Sequence, residues 1–287
     1  LKDPDIALVT GADVLRLETG EDNHISSIVY RHKGEEKRLS PKLVILSAGA
    51  IRSATLLLSS ANGRNPNGLA NSSDQAGRNF MNHNATFMLA IDPRTVNDSV
   101  YQKTIHFNDF YFDDGHGSGP LGQVQLLGRV TAPILKTRVP LVPEIALNWI
   151  CRHAVDWYLV SEDLPRKESR VRLDGPQVIL EWRFSNMAAH HLLVKRVKER
   201  MRAAGYPILL SQLVDGRLPS HQCGTTRIGL DPATHVSDPW CRSFDHQNLF
   251  IVDAGFLPTS AAVNPSLTVA AQALRVADYI RRVELTR

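Results

Sequence analysis

The sequence predicts an α/β segment joined to an α+β portion, and three observations lead there. Lys42 to Ser47 is a continuous apolar run ending in Ala48-Gly49-Ala50, after which Ser53 to Ser60 has helical spacing. Between residues 85 and 182, strand-like runs follow one another without alternating helices, and a helical stretch comes after them, the order of an antiparallel sheet backed by helices. Near the end, a short apolar strand at Asn248 to Asp253 precedes a capped terminal helix. With 287 residues, 43% of them hydrophobic, the chain is long enough for one large or two ordinary domains with a real core.

Taken in order, the runs I-A-L-V-T, D-V-L-R-L-E and I-S-S-I-V-Y between Ile6 and Tyr30 show β-branched enrichment or alternation and are broken by Gly11 and Gly20, which predicts a strand and a hairpin. The small residues Ala48 and Gly49 at the next strand-to-helix junction leave room for a ligand to approach the backbone, or simply make a tight turn. Asn62 to Asp74, rich in Asn, Gly, Pro and Ser, is a loop by composition and marks a crossing between domains. Beyond it come T-F-M-L-A-I, V-Q-L-L-G-R-V, W-Y-L-V-S, R-V-R-L and Q-V-I-L-E-W, the last two joined by an Asp174-Gly175 hairpin signal. Leu192, Leu193, Val197 and Met201 recur at helical spacing within Asn186 to Ala204, and Gly205-Tyr206-Pro207 stops that helix. Asn264 is a preferred helix cap, Pro265 suits the first helical position, and the apolar face is expected through Leu267, Ala270, Ala271, Leu274, Ala277 and Ile280.

Four strings in the last third carry more than fold information. They are His221-Gln-Cys-Gly224-Thr225-Thr-Arg227-Ile228-Gly229, Asn248 to Asp253, Pro258-Thr259, and Asn264-Pro265-Ser-Leu-Thr268. In this order and register they resemble the C-terminal region of the glucose-methanol-choline (GMC) oxidoreductases. Weaker likenesses at Leu43 to Leu58 and at Ala76 to His83 extend the resemblance over most of the chain.

The resemblance implies part of an FAD-binding Rossmann-like domain with an inserted antiparallel-sheet substrate domain. Residues 1–80 are then the first FAD-binding segment, 81–220 the substrate domain, and 221–287 the C-terminal FAD-binding segment with the catalytic pair. It implies an FAD-dependent enzyme acting on the CH–OH group of a small-molecule alcohol. An alcohol releases hydride readily only when its hydroxyl proton has a base to go to. His221 is implied as that base, with hydride passing to flavin N5, and Asn264 as the amide holding the same oxygen. Val14, Ala48, Gly49, Asp253, Ala254, Asn264, Pro265 and Thr268 are the implied FAD contacts, and the helix starting at Asn264-Pro265 would face the anionic part of a reduced flavin. Without the family, Val14 reads as a core valine, Asn264 as a cap and Cys223 as a packing residue. Asn82 and His83 resemble a polar pair at the family's domain crossing, where structural hydrogen bonding competes with catalysis.

Family members open with a strand, a G-x-G-x-x-G turn and a helix that receives the FAD pyrophosphate. No such unit precedes Asp3, and the chain begins at Leu1, so the expectation is the C-terminal portion of a longer enzyme lacking that βαβ unit. Gly117-Ser-Gly119-Pro-Leu-Gly122 matches the letters but carries a proline in the turn and leads into a strand, so it is not a phosphate loop. The alternative is a truncated, non-catalytic remnant or binding module unable to hold FAD by itself.

A net charge of +4 without a dense basic block argues against nucleic acid as a partner. No apolar run is long enough for a membrane span. Cys151, Cys223 and Cys241 are too widely spaced for zinc or a redox pair and favour a reducing, cytoplasmic setting. A serine hydrolase lacks its nucleophile elbow, and no metal is expected because no ligand set is complete. The particular alcohol and the electron acceptor, whether oxygen, quinone or protein, stay open.

Overall fold

The computed structural model describes residues 3–100, 103–215 and 220–284. The chain opens with an antiparallel meander, β1 (Ala12–Thr19), β2 (Ile25–His32) and β3 (Glu35–Leu39). Lys33 and Gly34, both at positive φ, turn β2 into β3, as a tight hairpin with matching twist requires. Residues 6–10, expected as a strand, are irregular and exposed, because no neighbouring strand offers them a ladder among the described residues.

Next come β4 (Val44–Leu46) and α1 (Ala50–Ser59). The partner of β4 lies some two hundred residues on. It pairs in parallel with β12 (Leu249–Ile251), Val44 opposite Leu249 and Leu46 opposite Ile251. Leu17, Ile25, Val44, Leu46, Leu57, Leu249 and Ile251 form one core, so the meander, α1 and the parallel pair make a single unit. The first and last segments of the chain therefore fold together.

Between them, β5 (Asn84–Ile91), β6 (His106–Phe107), β7 (Gln123–Leu126), α2 (Ala132–Lys136), α3 (Glu144–His153) and β8 (Ala154–Ser161) lead to the hairpin β9 (Arg170–Asp174) and β10 (Gln177–Glu181). Then follow α4 (Met187–Ala203) and β11 (Ile208–Leu213). A five-stranded antiparallel sheet runs β11-β5-β8-β7-β6, and α4 covers one face with Leu193, Val197 and Met201 against Met88, Trp157 and Leu159. The expected strand V-Q-L-L-G-R-V is confined to Gln123–Leu126. The β9-β10 hairpin stands outside this sheet. Val171 packs against Ala54 of α1 and Phe80, and its N–H donates to the Gly77 carbonyl at 2.7 Å, so the hairpin joins the two parts of the molecule.

After β12, a 3-10 turn at Ala254–Phe256 leads to α5 (Ser266–Tyr279), which ends in a π turn at Ile280–Glu284. Of the apolar face expected for α5 and its end, only Ile280 is buried. Leu267 and Leu274 are 82% and 73% exposed, whereas Val276 and Ile280 are buried, with Val269 and Ala273 partly so, against Met81, Cys223 and Phe250. Two apolar stripes at helical spacing share this helix, and periodicity alone does not say which one docks.

Candidate active site

Three chain segments meet where β4 and β12 end. After β4, Gly49 precedes α1 at φ 83°. An added Cβ there would meet nothing within 4 Å, so the backbone conformation rather than crowding calls for glycine, and the space before the turn is open. After β12, Asp253 is buried and its carboxylate is fully engaged. Oδ2 accepts from Gly49 N–H at 3.0 Å and from the Ser53 hydroxyl, and Oδ1 accepts from Gly255 N–H at 2.7 Å. Ala48 N–H donates to Ser53 Oγ at 3.1 Å. Thus Asp253 ties the two parallel strand ends together, with Ala48, Gly49 and Ala254 around it.

The third segment carries His221. Cys223 and Met81 exchange backbone hydrogen bonds at 2.9 and 3.0 Å, and Gly224 N–H donates to the Ala254 carbonyl. Thr225 Oγ1 donates to the Ala50 carbonyl at 2.6 Å, so the His-x-x-Gly-Thr string is anchored to both strand ends. His221 itself has φ 59°, a left-handed conformation uncommon for a non-glycine residue. Its Nδ1 is buried without a hydrogen-bond partner, while Nε2 lies 3.4 Å from the Asn264 amide nitrogen. Burial and nearby Lys103 lower the basicity of the ring from the usual imidazole range, which keeps it neutral.

Asn264 does not cap α5. Pro265 takes the capping position and its carbonyl accepts from Val269 N–H at 3.0 Å, while the Asn264 side chain turns to His221. One amide cannot fold back on the helix and reach His221 as well. The first turn, Ser266, Leu267 and Thr268, is left exposed, with neither a side-chain cap nor an acidic residue. Its unpaired N–H groups and partial positive charge are suited to an anionic or acceptor-rich group.

The Tyr158 face of the five-stranded sheet borders the same region, since the Tyr158 hydroxyl is hydrogen-bonded to Ser220, next to His221. Across four strands the row reads Gln125, Tyr158, Phe87, Gln212, two amides flanking two aromatic rings. Tyr158 had no motif to announce it, and only strand register could have found it. The same holds for Asp163, a buried carboxylate that accepts from Asn82 N–H, Trp182 Nε1 and Ser185.

Of the residues read from sequence, His221 and Asn264 come together, as do Ala48, Gly49, Asp253 and Ala254. Val14 stands exposed on β1 beside a register shift, and no hydrogen bond ties it or Thr268 to this cluster among the described residues. A cavity of about 530 Å³ is lined by Thr19, Ser60, Asn62 and Arg64 at the far end of α1 from Gly49, away from this chemistry. Cys223 is wholly buried and its thiol is pushed well above the ordinary range, the environment of an inert packing residue. Among the described residues no three potential ligands form a metal cluster, and no helix is long and apolar enough to cross a membrane.

Two family models described as GMC oxidoreductase match the chain, over residues 2–85 and 210–273. Over 95% of its length the chain is 30% identical to the fructose dehydrogenase large subunit of Gluconobacter japonicus, covering 53% of that protein. It is 27% identical to paromamine 6'-oxidase of Streptomyces fradiae, over 96% of this chain and 52% of that protein. The chain thus spans about half the length of the curated relatives it matches. Among solved structures, pyridoxine 4-oxidase from Mesorbium loti shares the fold with a TM-score of 0.68 at 19% identity, covering 96% of this chain and 58% of that one.

Proposed function

Because this chain belongs to the GMC oxidoreductase family, whose cofactor is FAD, we propose that it supplies the catalytic and substrate-binding part of an enzyme that oxidises the CH–OH group of a small-molecule alcohol. The observation that carries the proposal is the pairing of His221 Nε2 with the Asn264 amide in front of the uncapped start of α5. FAD, when bound, supplies the acceptor for the hydride leaving the alcohol carbon.

The residues fit that group. Open space before Gly49, the free first turn of α5 and the clustered strand ends offer backbone donors to a ligand rich in acceptors. Ala48, Gly49 and Ala254 would border it through their backbones, Pro265 and Thr268 through the start of α5, and Val14 from β1. Asp253 contributes by holding the two strand ends, since its carboxylate oxygens are already engaged.

The proton falls to His221. Its Nδ1 is enclosed, so Nε2 is the nitrogen that receives the hydroxyl proton, and a neutral ring is the form able to do so. As the proton leaves, charge grows on the alcohol oxygen, where the Asn264 N–H donates to it. The amide–aromatic row on the sheet, Gln125 to Gln212, forms a polar and stacking wall against which an alcohol can be held.

In the FAD-loaded enzyme, His221→Ala is expected to lower kcat/KM by about 10²- to 10⁴-fold, the usual worth of a positioned general base. Turnover at a near-normal rate in that variant would show that the proton goes elsewhere.

A further inference from the structure

We propose that His83 is a positioning residue that holds the His221 ring and the loop bearing Asn264 in a single arrangement. The inference rests on the reading of His221 and Asn264 as the reacting pair, and it concerns a residue that reading leaves idle. His83 is 3% exposed, and its ring stands edge-on to that of His221, with centroids 4.8 Å apart and planes at 71°. On its other side, Nδ1 donates to the Ala261 carbonyl at 3.1 Å, three residues before Asn264.

Both contacts fall on backbone that needs holding. Ala261 has φ 53° and His221 φ 59°, left-handed conformations that are strained for a non-glycine residue and persist only when their surroundings enforce them. The supports of His83 are themselves fixed. Asn82 N–H donates to Asp163 Oδ2 at 3.2 Å, and Asp163 N–H donates to Ser260 Oγ at 2.8 Å. Ser260 Oγ in turn donates to the same Ala261 carbonyl at 2.9 Å. His83 and Ala261 are thus each preceded by a residue tied to Asp163, and the His83 ring closes the circuit against His221.

Among the described residues, the other buried histidines lack this contact with the candidate base. His190, also buried, has both ring nitrogens hydrogen-bonded, to Thr86 Oγ1 at 2.8 Å and Ser161 Oγ at 2.9 Å. His83 has a hydrogen bond at Nδ1 alone, as does buried His246, and what sets His83 apart is the His221 ring beside it. Burial and His221 push the basicity of His83 down to about 4, so the ring set against His221 is uncharged and adds no second positive charge beyond that of Lys103.

Two variants of the FAD-loaded enzyme divide the two contacts. His83→Asn keeps an N–H near the position of Nδ1 for the Ala261 carbonyl and removes the ring from His221, whereas His83→Phe keeps the ring and removes the donor. Each is expected to lower kcat by about 10-fold or more with KM changed far less, as displacement of a catalytic group does. In His83→Asn, the ¹⁵N resonances of His221 are expected to shift away from their wild-type positions. Wild-type kcat in both variants, or unchanged His221 resonances in His83→Asn, overturns the proposal; should one variant not fold, the other is read by the same two measurements. The resonances report on the contact between the rings whatever the chemistry is. A failure of the base assignment, seen in His221→Ala, is therefore distinguishable from a failure of this one.

Discussion

His221 is poised by its surroundings as much as by its chemistry. Burial and the positive charge of Lys103 disfavour the imidazolium, so the ring loses its proton at a lower pH than the ordinary imidazole value of 6.5. A base acts only in the neutral form. The pH profile of kcat/KM in the FAD-loaded enzyme should therefore rise through an acid-side inflection below 6.5 and stay level above it; an inflection at or above 6.5 would mean that another group controls the reaction. Cys223, two residues on, shows the opposite use of burial, its thiol held protonated and unreactive. His221 was legible because a four-part motif surrounds it. Its left-handed backbone and its neighbour His83 were not, since these depend on which segments lie alongside.

At the scale of elements, the join between β4 and β12 bears the site. Three hydrogen bonds converge on the Asp253 carboxylate and fix Gly49, Ser53 and Gly255 relative to one another. Replacing Asp253 with Ala leaves these donors facing a buried gap, and a loss of about 3 kcal/mol in unfolding free energy is expected, following the cost of unpaired donors to a charged acceptor. Denaturant titration measures it, and a loss below about 1 kcal/mol would mean that the join holds without this carboxylate. The terminal helix illustrates what local pattern conveys. Its existence and extent were readable from spacing and the Asn264-Pro265 start, but its docked face was not, because Val269, Ala273 and Val276 repeat as helically as the stripe through Leu267 and Leu274, and the expected and docked faces meet only at Ile280.

At the scale of the whole molecule, the sheet-bearing middle and the flanking segments are held together at Asp163. Its carboxylate receives Asn82, Trp182 and Ser185, and its backbone exchanges bonds with Ser260, so the chain crossing at Asn82, the hairpin end and the loop before α5 meet at one residue. Asp163→Ala should cost about 3 kcal/mol or more by leaving several buried donors unpaired. It should also lower kcat by loosening Asn82 and with it His83, since the backbone bonds to Ser260 survive the substitution. Circular dichroism during denaturation and steady-state kinetics check the two halves of this expectation, and an unchanged midpoint would remove Asp163 from its central place.

The sequence by itself determined the family, the strands β5, β7, β8, β9 and β10 and the helix α4 but not β6, α2, α3 or β11, the Asp174-Gly175 hairpin, and the identity of His221 and Asn264 as residues to bring together. These are local or motif-borne properties, written in spacing and in residue types that few backbones share. Only the tertiary structure decided that β9 and β10 leave the main sheet to pack on α1, that Asn264 faces His221 instead of capping its helix, and that Asp253 serves the join between strands. It also showed Tyr158 and Asp163 around the site and set His83, already singled out with Asn82 by the family's motif, against the ring of His221. Each of these depends on contacts between residues far apart in the chain, whose geometry is set by packing and hydrogen-bond closure across segments, and no window of sequence contains both partners.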